Sequence, residues 1–409
     1  MFVVNKSAIR TPYPDDLRAV MSIAKADESR QWLQQWPELS REPTPLRSLP
    51  ELARDLGVGR IDLKDESTRA TLGSFKALGA PIALVRLIQR RWPQRQFAAS
   101  GLFSGRHAEE LRDFTVVSAT DGNHGLALAA AARDIGCRCV ILLHKHVSVE
   151  RERTIAARGA TIVRIDGNYD ASVHEAARLA EANTWFVVSD TSYEGYEDIP
   201  RDVMQGYGTI AAEVLEQRGV GRGDNVSPYS HVFLQGGVGG MAAGIISYLW
   251  ERSGARRPVF IVVEPQQADC LLQSAMAGYA AHASGSVDSV MAGLACGETS
   301  PLAWRFLEPA VDFFLTIEDD EAVAAMRLLA EGSDGDVPVV SGESGAAGLA
   351  GLAHIVRDPE LRRRAGLDNR SNVLLISTEG ATAPEVYRQL VGRTAIHVRQ
   401  AQADRLASV

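Results

Sequence analysis

The chain has 409 residues, 45% hydrophobic and 23% charged, with a formal net charge of −8. This acidic balance, without basic runs interleaved by aromatics, argues against nucleic acid and anionic membrane surfaces as partners. No stretch approaches the ~18 apolar residues of a spanning helix, the start Met1–Lys6 has no apolar targeting core, and four cysteines do not make a disulfide scaffold, so a cytoplasmic globular protein of two or three domains is expected.

In chain order, the segment Lys64–Ser67 is followed by Ser74-Phe75-Lys76 and a predicted helix opening at Ala77-Leu78-Gly79-Ala80. Residues Arg95–Leu111, with Gly101, Ser104, Gly105 and His107, read as an inserted loop. Short apolar, largely β-branched runs then predict strands at Thr115–Ser118, Cys139–Leu143, Thr161–Ile165, Trp185–Ser189, His231–Gln235, Val259–Glu264 and Val373–Ser377. Alanine-rich stretches between them predict helices over Gly125–Ile135, Ser148–Arg158, Ala171–Asn183, Met204–Arg218 and Met241–Trp250, with a polar loop over Gly219–Ser230. Apolar strands alternating with helices point to an α/β protein with mostly parallel, twisted sheets covered on both faces.

Three places carry chemistry. Lys76, between a turn and an apolar helix start, is a candidate Schiff-base nucleophile: desolvation favours its neutral amine. The alternative is a solvated surface lysine. Asp121-Gly122-Asn123-His124-Gly125 follows a strand; it is either a strand-to-helix turn capped by Asp121 or a polar loop in which Asn123 meets a ring hydroxyl. Gly236-Gly237-Val238-Gly239-Gly240 lies between a strand and a helix, where backbone N–H groups can approach an anion. That anion is either a dinucleotide pyrophosphate, with Glu264 on the ribose, or the phosphate of pyridoxal phosphate. Only the second uses all three motifs, and it is the reading adopted. Glu318–Glu321 reads as negative charge at a helix start, and Cys137 and Cys139 lack further ligands for zinc, so no metal is expected. Cys270 and Cys296 are expected as unpaired thiols.

The amine, polar loop and glycine cradle, in this order, resemble the fold-type II pyridoxal-phosphate enzymes, the tryptophan synthase β and threonine dehydratase superfamily. Ser118–Gly125, Asp190–Tyr196, Met291–Glu298 and Ser377–Gly380 narrow the resemblance to the diaminopropionate ammonia-lyases, from about Thr44 to Val391. Asp121 stands where the wider superfamily has serine or threonine. The resemblance implies two domains, a larger one of residues 1–85 and 200–409 and a smaller inserted one of residues 86–199, with the cofactor in the cleft between them. It implies that Lys76 holds pyridoxal 5′-phosphate and moves the Cα proton, with Asp121 and Asp190 as acid/base or substrate-binding carboxylates. Asn123 and the loop Gly236, Gly237, Val238, Gly239 and Gly240 would hold the cofactor, and Ser377, or Thr378 in its place, would face the pyridine nitrogen. Glu343 would sit near the ring or serve a helix start. The implied reaction takes 2,3-diaminopropionate and water to pyruvate and two ammonia. A serine or threonine dehydratase, or a β-replacement synthase, is the alternative on the same scaffold. A homodimer acting on a small amino acid is expected.

Overall fold

The computed structural model describes every residue except Asp121, His146, Arg222, Asp334 and Val409. The described residues form the strands β1 (Phe2–Val4), β2 (Leu46–Ser48), β3 (Arg60–Asp65), β4 (Thr115–Ala119), β5 (Arg138–His144), β6 (Thr161–Ile165), β7 (Phe186–Val187), β8 (His231–Gln235), β9 (Val259–Pro265), β10 (Phe313–Ile317) and β11 (Asn372–Ser377). They form a seven-stranded sheet in the order β1-β10-β9-β8-β11-β3-β2 and a four-stranded sheet in the order β6-β5-β4-β7. All pairs in the smaller sheet are parallel. In the larger one only the edge strands β1 and β2 run antiparallel. Parallel neighbours need long crossovers, and the helices between strands provide them.

The apolar runs became strands because they are buried on both faces: β4 and β8 are buried at every residue. Two large apolar clusters flank the seven-stranded sheet, and one of them continues into the helices Ala80–Arg91, Asn123–Ile135 and Asp198–Gln217. A third, small cluster lies between β4, β5 and the helix Tyr169–Asn183.

Two expectations are corrected, and the strand β3 is added. Residues 95–111 are not an open loop. They hold the short helices Ala99–Phe103 and Ala108–Leu111, because Phe97, Leu102, Phe103 and Leu111 all bury in the main cluster. The strand expected over Trp185–Ser189 shrinks to Phe186–Val187, since the Trp185 N–H is taken by Ala180 O at the end of the preceding helix. β3 is a full inner strand despite its charges. Lys64 Nζ donates to Glu213 Oε2 (2.6 Å), Thr44 O (2.7 Å) and Gln217 Oε1 (3.0 Å). Arg69 binds Glu66 and Glu213 in the same buried cluster, so each charge taken from water meets a partner.

Candidate active site

The carboxyl ends of β4, β8 and β11 face one cleft, the usual ligand position in open α/β sheets. Lys76, Asn123, His124, Asp190, the loop Gly236–Gly240, Thr378 and Glu379 all line it. The sites read from sequence therefore converge, apart from two. Asp121 lies outside the described residues. Ser377 is fully buried but does not line the cleft: its hydroxyl donates to Ser341 Oγ (2.8 Å), and the neighbouring Thr378 lines the wall instead.

Lys76 sits on a single 3-10 turn, Phe75–Leu78, rather than at the opening of a helix. Ser74 Oγ accepts the Lys76 N–H at 3.3 Å, and the Phe75 N–H donates to Thr378 O at 3.0 Å, which ties the turn to the end of β11. The turn stops at Gly79, where a Cβ would come within 2.7 Å of Val203 Cγ1 and 2.8 Å of the Tyr207 ring. The helix Ala80–Arg91 starts beyond it. The lysine ammonium pairs with the carboxylate of Asp190. Burial alone would lower the Lys76 pKa, but Asp190 outweighs it and holds the amine well above its ordinary range. Burial would likewise raise Asp190, yet the Lys76 charge keeps it well below the usual carboxylate range. Tyr169 Oη donates to the other Asp190 oxygen at 3.3 Å.

His124 lies 3.9 Å from Asp190 through Nδ1. Its Nε2 is 2.9 Å from Val188 O, which only accepts, so Nε2 carries the hydrogen. Burial lowers its pKa against the pull of Asp190, which leaves a neutral ring with Nδ1 as a bare acceptor.

The glycine loop opens the helix Gly240–Ser253. Gly237 (φ +59°) and Gly239 (φ +98°) take left-handed backbone, and a Cβ on Gly239 would lie 2.8 Å from Leu307 Cδ1 and 3.1 Å from Ala303 Cβ. Among the described residues the Gly237 and Val238 N–H groups find no acceptor in the chain. Unfilled donors at a helix N-terminus suit a phosphate. The ribose ligand that a dinucleotide would need is missing: Glu264 is fully buried behind Gly236. Its two oxygens accept the Leu271 and Leu272 N–H groups at 2.8 Å each, capping the helix Cys270–Ala277. Burial pushes that carboxyl up to about 8, against the two N–H groups.

Several wall residues carried no clear signal in the sequence. Arg151 lines the cleft and pairs with Glu343 (2.5 Å), which itself stands just outside the wall. Tyr169 and Tyr207 also line it, from helices whose sequence reads as ordinary amphipathic structure. Glu379 was visible only as part of a motif; it accepts a hydrogen bond from Asn123 Nδ2. Cys296 faces the cleft, Cys270 packs behind the loop with Sγ 3.5 Å from Gly237 O, and neither is in a disulfide. The acidic run Glu318–Glu321 stands at a helix start as expected, and Glu318 and Glu321 there form a reciprocal cap on the helix Asp319–Glu331.

A buried amine, an amide and a set of unfilled N–H donors in one cleft fit pyridoxal phosphate. Comparison with known proteins agrees. The family model for pyridoxal-phosphate dependent enzymes matches residues 38–379. The diaminopropionate ammonia-lyase of Salmonella typhimurium is 38% identical over 363 residues, covering 86% of this chain and 89% of that protein. The crystal structure of the Escherichia coli diaminopropionate ammonia-lyase in complex with an aminoacrylate–PLP azomethine intermediate superposes with a TM-score of 0.84 at 36% identity, covering 96% of each chain. Threonine deaminase isoform 2 of Solanum lycopersicum, at 19% identity and a TM-score of 0.68 over 95% of this chain and 97% of that one, shares the fold. A match of such identity over most of both chains admits one conclusion: this chain belongs to the diaminopropionate ammonia-lyase family of the fold-type II pyridoxal-phosphate-dependent enzymes.

Proposed function

We propose that the protein is a pyridoxal-phosphate-dependent carbon–nitrogen lyase that converts 2,3-diaminopropionate and water to pyruvate and two ammonia. The observation that carries this reading is the Lys76–Asp190 pair: the carboxylate nearest the reactive amine already binds an ammonium group. A substrate with a second, cationic amino group offers it the same partner, whereas serine and threonine offer a neutral hydroxyl.

The cofactor, when bound, supplies an electron sink for the charge left on Cα. The remaining roles fall to the chain. The unfilled N–H groups of the loop Gly236–Gly240 would take the phosphate, Asn123 the ring hydroxyl, and Thr378, nearer than Ser377, the pyridine edge. Lys76 would hold the cofactor and, once released, take the Cα proton. Its amine must be neutral for this, and Asp190 keeps it charged only while the two are paired. A substrate ammonium that takes over Asp190 would therefore also free Lys76 to deprotonate. Asp121 would act as a second acid/base, serving the other enantiomer. Asp190 would bind the β-amino group and keep it protonated, so that it departs as neutral ammonia.

Residues 1–85 with 200–409 and residues 86–199 would act as two domains, each built on one of the two sheets. The protein would work as a cytoplasmic homodimer, which light scattering on the purified holoenzyme checks directly. Among the described residues no helix is long and apolar enough to cross a membrane. The reading is tested by keto-acid release from both enantiomers of 2,3-diaminopropionate, serine, threonine and O-acetylserine. Preference for diaminopropionate supports it, and preference for a hydroxy or acetoxy substrate would make the protein a dehydratase or a synthase.

A further inference from the structure

Glu379 is a buried carboxylate at the cofactor cleft with no role in the account so far. It leaves the end of β11 with 2% of its surface exposed. Its oxygens have divided duties: Oε1 accepts the Ser344 N–H at 3.3 Å, and Oε2 accepts from Asn123 Nδ2. The side chain is clasped by the turn ahead of the helix Ala347–Arg357. A Cβ on Gly342 would lie 2.9 Å from Glu379 Cγ and 3.1 Å from Oε1, and a Cβ on Gly345 would lie 2.8 Å from Glu379 O. Glu379 therefore has little freedom to move. Asn123 starts the helix after β4 in the other sheet, so this bond joins the two sheets across the cleft.

We propose that Glu379 is a positioning residue that fixes the Asn123 amide so that one of its N–H groups faces the ring hydroxyl of the cofactor. The proposal rests on the reading of Asn123 as a cofactor contact. A primary amide has two N–H donors in one plane. Bonding one to a fixed carboxylate sets that plane and leaves the other N–H for the cleft. An acid is needed at position 379 because two donors converge on it. A glutamine has one acceptor oxygen: turned to Ser344 it sets its NH₂ group against Asn123 Nδ2, and turned to Asn123 it sets that group against the Ser344 N–H, so the amide loses either its acceptor or the anchor that holds the acceptor in place. Burial and the neighbouring Glu343 push the Glu379 carboxyl up to about 7, with Arg151, Asn123 and the Ser344 N–H opposing, so the comparison belongs above that value, at about pH 8.5.

The test compares holoenzymes of wild type, Asn123→Ala, Glu379→Gln and the double variant, reading the visible absorption maximum of the bound cofactor and its rate of loss on dilution. Asn123→Ala should move the band and speed cofactor loss about tenfold, the order expected for one buried hydrogen bond. Glu379→Gln should move the band in the same direction and speed loss at least about threefold. The double variant should match Asn123→Ala within about twofold, since Glu379 acts only through the amide. If Asn123→Ala moves the band and Glu379→Gln does not, or if the two effects add, the proposal is overturned. If Asn123→Ala moves neither quantity, the reading of Asn123 as a cofactor contact fails, and the proposal with it. Should Glu379→Gln not fold, Glu379→Asp is read instead. That variant keeps two acceptors on a shorter arm: a band shifted toward that of Asn123→Ala supports the proposal, and an unmoved band overturns it.

Discussion

Replacing Asp190 by asparagine removes a charge from a buried pair while keeping the size and shape of the side chain. In the cofactor-free protein, Lys76 is held above its ordinary value of 10.5 because Asp190 opposes the effect of burial. The side chains are only 19% and 9% exposed, so solvent screens the pair little. Removing one partner of such a pair costs about 3–5 kcal/mol. At about 1.36 kcal/mol per pH unit, that corresponds to a fall of ~2–4 units in the Lys76 pKa. The assay is trace acetylation of the cofactor-free protein across pH, with the Lys76 peptide quantified by mass spectrometry, since only the neutral amine reacts. The wild-type midpoint should lie above 10.5, and the Asp190→Asn midpoint should lie ~2–4 units lower. Equal midpoints would refute the claim that Asp190 controls the charge on Lys76. The linked stability has a definite window. The lowered Asp190 contributes above its unfolded value of 3.8 and fades as pH falls through its folded value. The raised Lys76 contributes fully below 10.5 and is lost as pH rises through its folded value.

Other consequences follow from the same geometry. Gly239→Ala places a Cβ at φ +98°, 2.8 Å from Leu307 Cδ1. With about 1–2 kcal/mol of backbone strain and about 1–3 kcal/mol of overpacking, the melting temperature should drop and cofactor retention should weaken. Gly237→Asp should weaken retention through charge repulsion, and the loss should ease at high salt. Glu264 binds its proton more tightly folded, at about 8, than at its ordinary 4.5. The stability it contributes is fully present below 4.5 and lost as pH rises through 8, so the decline in melting temperature across that window should flatten in Glu264→Gln. Asp121→Asn should reduce turnover of one enantiomer of diaminopropionate by about 10²–10⁴-fold, the usual contribution of a positioned acid or base, and spare the other. A loss under about tenfold on both would make Asp121 a turn residue.

Much of this was legible in the sequence because the inner strands are apolar. The runs at His231–Gln235 and Val373–Ser377 read as strands buried on both faces, and they are. β3 was hidden because Arg60-Ile61-Asp62-Leu63-Lys64-Asp65 looks like an exposed strand or a loop until its partners arrive from the distant helix Asp198–Gln217. Pairing between residues about 150 positions apart, as for Lys64 and Glu213, leaves no local periodicity. The same limit applies in the cleft. Lys76, Asn123 and the glycine loop carry motif signals, because tight turns and close backbone approach restrict residue types locally. Arg151, Tyr169 and Glu379 act through contacts made only in the fold. The choice between Ser377 and Thr378 was beyond the sequence for another reason. Successive strand residues point to opposite faces, and Ser377 ends β11 as expected with its hydroxyl turned to Ser341, so the backbone turn after the strand, which the strand pattern does not specify, sets which hydroxyl meets the cleft.

The central claim concerns a substrate with two leaving amino groups, and the ratio of products tests it most directly. Purified holoenzyme supplied with 2,3-diaminopropionate should release two ammonia for each pyruvate, measured in the same sample by glutamate dehydrogenase and lactate dehydrogenase coupling, and Lys76→Ala should release neither. Pyruvate and ammonia in a one-to-one ratio from serine, with no turnover of either enantiomer of diaminopropionate, would contradict the account.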